Sequence, residues 1–180
     1  MLYELNKEYY VRSLKNKDLE GPYMDWFDDQ DVCQYNSHGK FSKSDEYYKK
    51  YISTIGQERN ELIWAICSEK DGHIGNVGLT DISFVNRKAE FGIIIGNKHH
   101  WSKGVAKMAS QRILLHAFKK LNLNRVYCCV VELNIGMLKL ANSVGMKKEG
   151  VLRMNSWVNG AWVNDIQFGI IADEFILDVL

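Results

Sequence analysis

Residues 89–109, AEFGIIIGNKHHWSKGVAKMA, decide the fold of this chain. Ala89 to Gly96 is a β-rich run with three successive isoleucines, bounded by glycine. Beyond it, Ala106, Ala109, Ile113, Ala117 and Leu121 recur at steps of three or four, which predicts a helix over 104–122 with a broad apolar stripe. RVYCCVVEL (125–133) follows and is almost continuously apolar, as a strand covered on both faces must be. Strand, helix and strand in that order form a βαβ unit, whose strands are parallel and whose crossover is right-handed.

Working outward, ELIWAICS (61–68) and HIGNVGLT (73–80) are β-rich runs joined by EKDG, and Asp71-Gly72 is a strong hairpin signal. With 89–96 they make a three-stranded meander. Residues 8–14 alternate like a first strand, and 18–27 (DLEGPYMDWF) reads as a helix with Gly21 and Pro22 in its first turn. DDQDVCQYNSHG (28–39) is polar and turn-rich, and Ser42 with Asp45 resembles a capping box for a helix carrying Tyr47, Tyr48, Tyr51 and Ile52. Downstream, Asn134 is placed to cap a short helix bearing Ile135, Leu138 and Ala141, stopped by Gly145. Two final strands flank Asn159-Gly160, another hairpin dipeptide. The predicted order is βα(α)βββαβαββ, an α/β or α+β sandwich with a mixed sheet.

At 180 residues and 46% hydrophobic content the chain suits one domain, 1–180, with no repeat and a single proline. Lys and Arg number 23 against 22 Asp and Glu, so no global field draws nucleic acid or an anionic membrane. The first residues, MLYELNKEYY, lack an apolar signal core, and no run approaches the roughly 18–20 apolar residues of a bilayer span. A cytoplasmic protein is expected. Cys33, Cys67, Cys128 and Cys129 form no C-x-x-C and meet no histidine at zinc spacing, which predicts reduced core thiols and no metal. Vicinal Cys128 and Cys129 fall on opposite sheet faces and read as core rather than as a nucleophile. His99 and His100 lack further ligands at readable spacing and are expected to face solvent.

The segment that carries chemistry is HHWSKGVA, which brings Lys103 and Gly104 to the start of the long helix. A helix N-terminus offers unpaired N–H groups and about half a positive charge, suited to phosphate or pyrophosphate. Gly104 lets such a ligand approach the backbone, because no Cβ intervenes.

The run 89–109, followed by NIGMLKLANSVGMKKEG (134–150), resembles the core of the GNAT acyltransferase superfamily over about residues 60–171. Its branch acting on ribosomal-protein N-termini, spermidine and amino sugars often reads Trp-Gly-Lys-Gly-x-Ala, and this chain has Trp101-Ser102-Lys103-Gly104-Val105-Ala106, with Ser102 in place of a glycine. The resemblance implies a mostly antiparallel mixed sheet of about seven strands flanked by helices, with a splayed parallel pair around the coenzyme. It implies acetyl-coenzyme A as co-substrate, its pantetheine arm against the backbone of Ile93, Ile94 and Ile95 and its pyrophosphate on the 101–106 turn. Gly92 and Gly96 are compatible with a bulged strand there. Asn134 falls where the family places an asparagine near the pantetheine, and equally reads as a plain N-cap.

Acetyl transfer needs a neutral amine, a donor for the developing oxyanion and a proton for the thiolate. Glu90 lies fourteen positions before Gly104, the offset of the catalytic glutamate in the histone-acetylating branch; its alternative is an ion pair with Lys88 or Lys98. The oxyanion donor implied by the resemblance is a backbone N–H near Ile94. Many relatives place a proton-donating tyrosine seven residues after the asparagine, and Ala141 stands there, with Ser143 and Tyr127 as substitutes. A coenzyme thiol, with a pKa of roughly 8–10 by analogy with cysteine, leaves without much help. Trp26, Phe27, Asp28, Asp29, Tyr35, Asn36 and His38 precede the meander, where this fold builds its acceptor wall. The implied activity is direct acetylation of a primary amine on a small molecule, an amino sugar or a protein N-terminus. The competing class is a non-catalytic acyl-coenzyme A sensor of the same fold. C-terminal strands often mediate dimers in similar proteins, which leaves a homodimer open.

Overall fold

A computed structural model describes residues 1–41, 43–55, 57 and 59–176 of the chain. Eight strands are present among them: β1 (Leu2–Glu4), β2 (Tyr9–Ser13), β3 (Leu62–Ser68), β4 (Gly72–Ser83), β5 (Lys88–Ile95), β6 (Arg125–Val131), β7 (Lys147–Val158) and β8 (Ala161–Ile171). They form one sheet in the order β1-β2-β3-β4-β5-β6-β8-β7. Every neighbouring pair is antiparallel except β5 and β6, which are parallel as a βαβ crossover requires. The eighth strand is β1, three residues long, too short for periodicity to register; it pairs with β2 from Leu2 against Arg12.

The two predicted hairpins form, with different turns. Asn159 (φ 48) and Gly160 (φ 83) are both left-handed, as a two-residue type I′ loop demands. At the other, Gly72 supplies the positive φ of 67, while Ser68 Oγ accepts the Asp71 N–H at 2.8 Å.

The described residues include four α-helices, α1 (Gln30–Cys33), α2 (Asp45–Thr54), α3 (Val105–Lys119) and α4 (Ile135–Ser143). The predicted stripe of α3 is the one it buries. Ala109, Ile113, Leu114 and Ala117 are wholly covered and pack with Val77, Leu79, Ala89, Phe91, Val126 and Cys128 in the main core. Each large apolar side chain buried this way contributes about 1.5–3 kcal/mol. A second, aromatic core of Tyr23, Trp26, Phe27, Tyr48 and Ile52 is built from the segment before the meander and from α2.

The helix expected over 18–27 is absent. Two 3₁₀ turns, Asn16–Glu20 and Asp25–Phe27, stand on either side of Gly21-Pro22. Proline has no N–H and disfavours the α region in the residue before it, and Gly21 is extended (φ −104, ψ −162). For α2, Ser42 of the predicted capping box lies outside the described residues; Ser44 is the cap, its side chain accepting the Tyr47 N–H at 3.3 Å. Among the described residues no helix is long and apolar enough to cross a membrane.

Candidate active site

β5 and β6 share three residue pairs, Lys88 with Arg125, Ala89 with Val126 and Glu90 with Tyr127. Past them the strands part. Ile93, Ile94 and Ile95 continue against Val77, Asn76 and Gly75 of β4, while β6 runs on against β8 as far as Val131 opposite Asp165. A V-shaped opening results, with the three isoleucines along one arm. Its two glycines serve different ends. A Cβ at Gly92 would meet nothing, whereas one at Gly96 would land inside the indole of Trp26, so Gly96 is where the aromatic core docks onto the strand end. The irregularity of this strand pair lies on β4, between Thr80 and Ser83, not at either glycine.

The connection from β5 to α3 is held from several directions. The Trp101 indole N–H donates to Ile95 O at 2.8 Å, and Lys98 reaches Asp29 and Asp31 at 2.8 Å each. His100, expected at the surface, is buried. Tyr9 Oη lies 3.0 Å from its Nδ1 and Asp71 Oδ2 lies 3.0 Å from its Nε2. Those partners are 91 and 29 residues away, so no local spacing announces them.

The turn itself is left-handed twice, at Ser102 (φ 61) and Gly104 (φ 79). The motif's glycine is therefore missing at a position whose backbone calls for one. Trp101, Ser102, Lys103 and Gly104 are exposed, Val105 is buried and Ala106 is half-buried. Nothing stands within 4 Å of a Cβ built on Gly104. The 15-residue helix α3 thus presents its first N–H groups to open space beside Lys103.

Glu90 is half-buried on β5, between Thr80 of β4 and Tyr127 of β6. Both ion-pair alternatives are otherwise engaged: Lys98 holds Asp29 and Asp31, and the Lys88 ammonium sits over the Tyr127 ring, 5.6 Å from its centroid. Burial, and after it the charge of Asp81, pushes the Glu90 carboxyl above its ordinary range. Tyr127 is likewise raised by burial and by the charges of Glu90 and Asp81. Thr80 and Asp81, with Thr54, Gln57, Asn60 and Glu61, line a cavity of about 470 Å³.

The cysteine expectation holds for one of the vicinal pair. Cys128 is core, its thiol pushed up to about 12 by burial, but Cys129 is exposed. Burial, then Asp165 and Glu90, raises Cys129 as well, which leaves little thiolate at neutral pH. All four cysteines are free, and no metal-binding group of His, Cys, Asp and Glu occurs among the described residues.

Asn134 caps α4, its Oδ1 accepting the Met137 N–H at 3.0 Å. Ala141 is fully covered, and Ser143 donates its hydroxyl to Leu140 O at 2.8 Å within its own helix. Trp26 and Phe27 are core, Asp29 caps α1 through the Asp31 and Val32 N–H groups, and the His38 ring lies 5.2 Å from that of Phe27.

A family description, the acetyltransferase (GNAT) domain, matches residues 9–147. The chain is 36% identical over 124 residues to an uncharacterized N-acetyltransferase p20 of Bacillus licheniformis, covering 69% of this chain and 68% of that one. It is 28% identical over 170 residues to the spermidine N(1)-acetyltransferase of Escherichia coli K12, covering 94% and 83%. The crystal structure of a spermidine N-acetyltransferase from Vibrio cholerae, in complex with CoA and spermine, superposes with a TM-score of 0.83 at 24% identity over 94% of this chain and 98% of the other.

Proposed function

This chain belongs to the GNAT acetyltransferase family and transfers acetyl groups from acetyl-coenzyme A to an amine, and on that premise we propose that its acceptor is a small cationic amine. The observation that carries this reading is the cavity beside Glu90, two of whose lining residues, Glu61 and Asp81, are carboxylates. Carboxylates grouped in a concave surface favour an ammonium group and disfavour an anionic sugar nucleotide. The overall charge, close to neutral, gives no hint of this local bias. The E. coli relative is by name a spermidine acetyltransferase, which is in keeping with it.

When bound, acetyl-coenzyme A supplies an activated acyl thioester. Open space in front of Gly104, the first N–H groups of α3 and the exposed Lys103 suit its pyrophosphate on residues 101–106. The parted edge at Ile93, Ile94 and Ile95 suits backbone pairing with an extended arm. Gly96 donates its N–H to Ile74 O of β4, so by alternation the Ile94 N–H also turns to β4. In this reading the oxyanion donor near it is the N–H of Ile93 or Ile95, which face the gap. Glu90 takes the proton that an alkylammonium must lose before attack, a task its raised proton affinity favours. In this reading Asn134 organises α4 as its cap, and the thiolate leaves without a dedicated acid, because Ala141 is sealed in the core and Ser143 is committed to its helix. A cytoplasmic location and a homodimer through the β7–β8 hairpin, where Trp157 and Trp162 stand half-exposed, belong to the same proposal.

The test is thiol release from acetyl-coenzyme A over a panel of polyamines, amino sugars and peptides. Polyamines should turn over fastest; turnover confined to peptides or amino sugars removes the cationic-amine reading. Glu90→Gln should lower kcat about 10²- to 10⁴-fold while calorimetry finds coenzyme affinity within about twofold. Unchanged kcat removes Glu90 as base.

A further inference from the structure

Asp81 has a backbone few non-glycine residues adopt, φ 53, at the point where the β4–β5 register slips between Thr80 and Ser83. In a regular strand Thr80 and Asp81 would point to opposite faces. Here both line the same cavity, at the bulge where that alternation is broken. Thr80 is the cross-strand partner of Glu90. The irregularity therefore brings a second carboxylate to the neighbourhood of the first. Strain kept at such a spot invites a functional explanation, and aspartate tolerates the left-handed region better than most residues.

We propose that Asp81 is a positioning residue for the proton of Glu90: the bulge keeps the Asp81 carboxylate near Glu90, where its charge favours the protonated Glu90 until a cationic acceptor arrives. Glu90 is half-buried and Asp81 exposed, and the nearby Asp81 charge opposes ionisation of Glu90, so the free enzyme keeps Glu90 protonated to higher pH than a lone strand carboxylate would be. An ammonium group entering the cavity pairs with Asp81, cancels its repulsion and lets Glu90 release its proton to solvent, which leaves the carboxylate that the transfer needs. The other groups facing Glu90 are Tyr127 and Cys129, both shifted towards their neutral forms, and the nearby cations Lys88 and Arg125 sit over the Tyr127 ring. Asp81 is thus the charge to which Glu90 responds.

The catalytic part of this inference rests on Glu90 being the base, and the experiment separates the two. Asp81→Asn removes the charge and keeps a residue equally at ease at positive φ, so the fold is retained. In the full-length protein with ¹³C-labelled glutamate carboxyls, the Glu90 resonance, assigned as the one missing from Glu90→Gln, is followed against pH without any substrate. The expected result is a midpoint at lower pH in Asp81→Asn than in the parent. With the best amine of the panel, the acid-side kcat/KM of Asp81→Asn, normalised to its plateau, should correspondingly rise about threefold. An identical Glu90 midpoint in the two proteins overturns the coupling. If the midpoint moves but Glu90→Gln turns over normally, the pair exists and its catalytic use is refuted.

Discussion

The turn at 101–106, proposed to hold the pyrophosphate, offers a perturbation whose two consequences can be separated. Gly104 is at φ 79, and a Cβ added there meets nothing in the protein, so Gly104→Ala imposes backbone strain without a packing clash. Left-handed backbone costs a non-glycine residue about 1–2 kcal/mol, and the lower chain entropy of alanine returns about 0.5–1 kcal/mol. The net loss is about 1 kcal/mol, a drop in Tm of about 2–4 °C for a chain of this length. Coenzyme binding should suffer more. Either the turn relaxes and its N–H groups lose their aim, or it holds and the methyl stands where a phosphate oxygen must approach. Affinity for acetyl-coenzyme A should therefore fall tenfold or more, about 1.4 kcal/mol beyond anything the melting curve reports. Ser102→Gly is the companion with opposite sign: at φ 61 it relieves strain, so Tm should hold or rise slightly and affinity should hold or tighten. Scanning calorimetry and titration calorimetry on the three proteins decide the matter. A Gly104→Ala protein that binds acetyl-coenzyme A as the parent does would refute the assignment of the pyrophosphate to this turn.

Two further outcomes concern the frame around the site. Gly96→Ala drives a methyl into the Trp26 indole, an overpacking worth about 1–3 kcal/mol, and should lower Tm by several degrees; an unchanged melting temperature would contradict that close approach. Asp18 is buried, which alone would raise its carboxyl, but the Arg12 guanidinium at 2.5 and 2.8 Å and the Lys15 N–H hold it below the ordinary range. Its folded value is lowered, so its stabilisation is full above the unfolded value, about 3.9, and is lost as pH falls through the folded one. Asp18→Asn should cost about 3 kcal/mol at pH 7 in urea unfolding and flatten the loss of stability below pH 4; a variant with the parent's acid sensitivity would count against the pair.

What the sequence discloses about this molecule follows the range of each physical signal. The βαβ unit around α3 is legible because a run of β-rich residues and a stripe at steps of three and four are both local patterns, and burial of Ala109, Ile113 and Ala117 bears the stripe out. The turn proposed to hold the coenzyme stands out for the same reason, since it is six consecutive residues. The 18–27 segment misleads because its composition suits a helix while the backbone demands of Gly21-Pro22 break it into two 3₁₀ turns. The burial of His100 and the bulge at Asp81 leave no local trace: one depends on Tyr9 and Asp71 meeting across the fold, the other on a slipped register between two strands. Cys129 differs from Cys128 in exposure because neighbouring strand residues turn to opposite faces and only that of Cys128 is covered by the main core.

The short parallel seam has a mechanical meaning. Three residue pairs join a five-stranded leaf, β1 to β5, to a three-stranded leaf, β6 to β8, while α3 crosses between them and shares its buried stripe with both. Such a molecule is a hinged pair of leaves with a helical spine. Amides along the parted edges of β5 and β6 should exchange with solvent faster than those of the β3–β4 ladder. A thioester lying in the gap would act as the missing strand, stiffening the whole sheet as it is held.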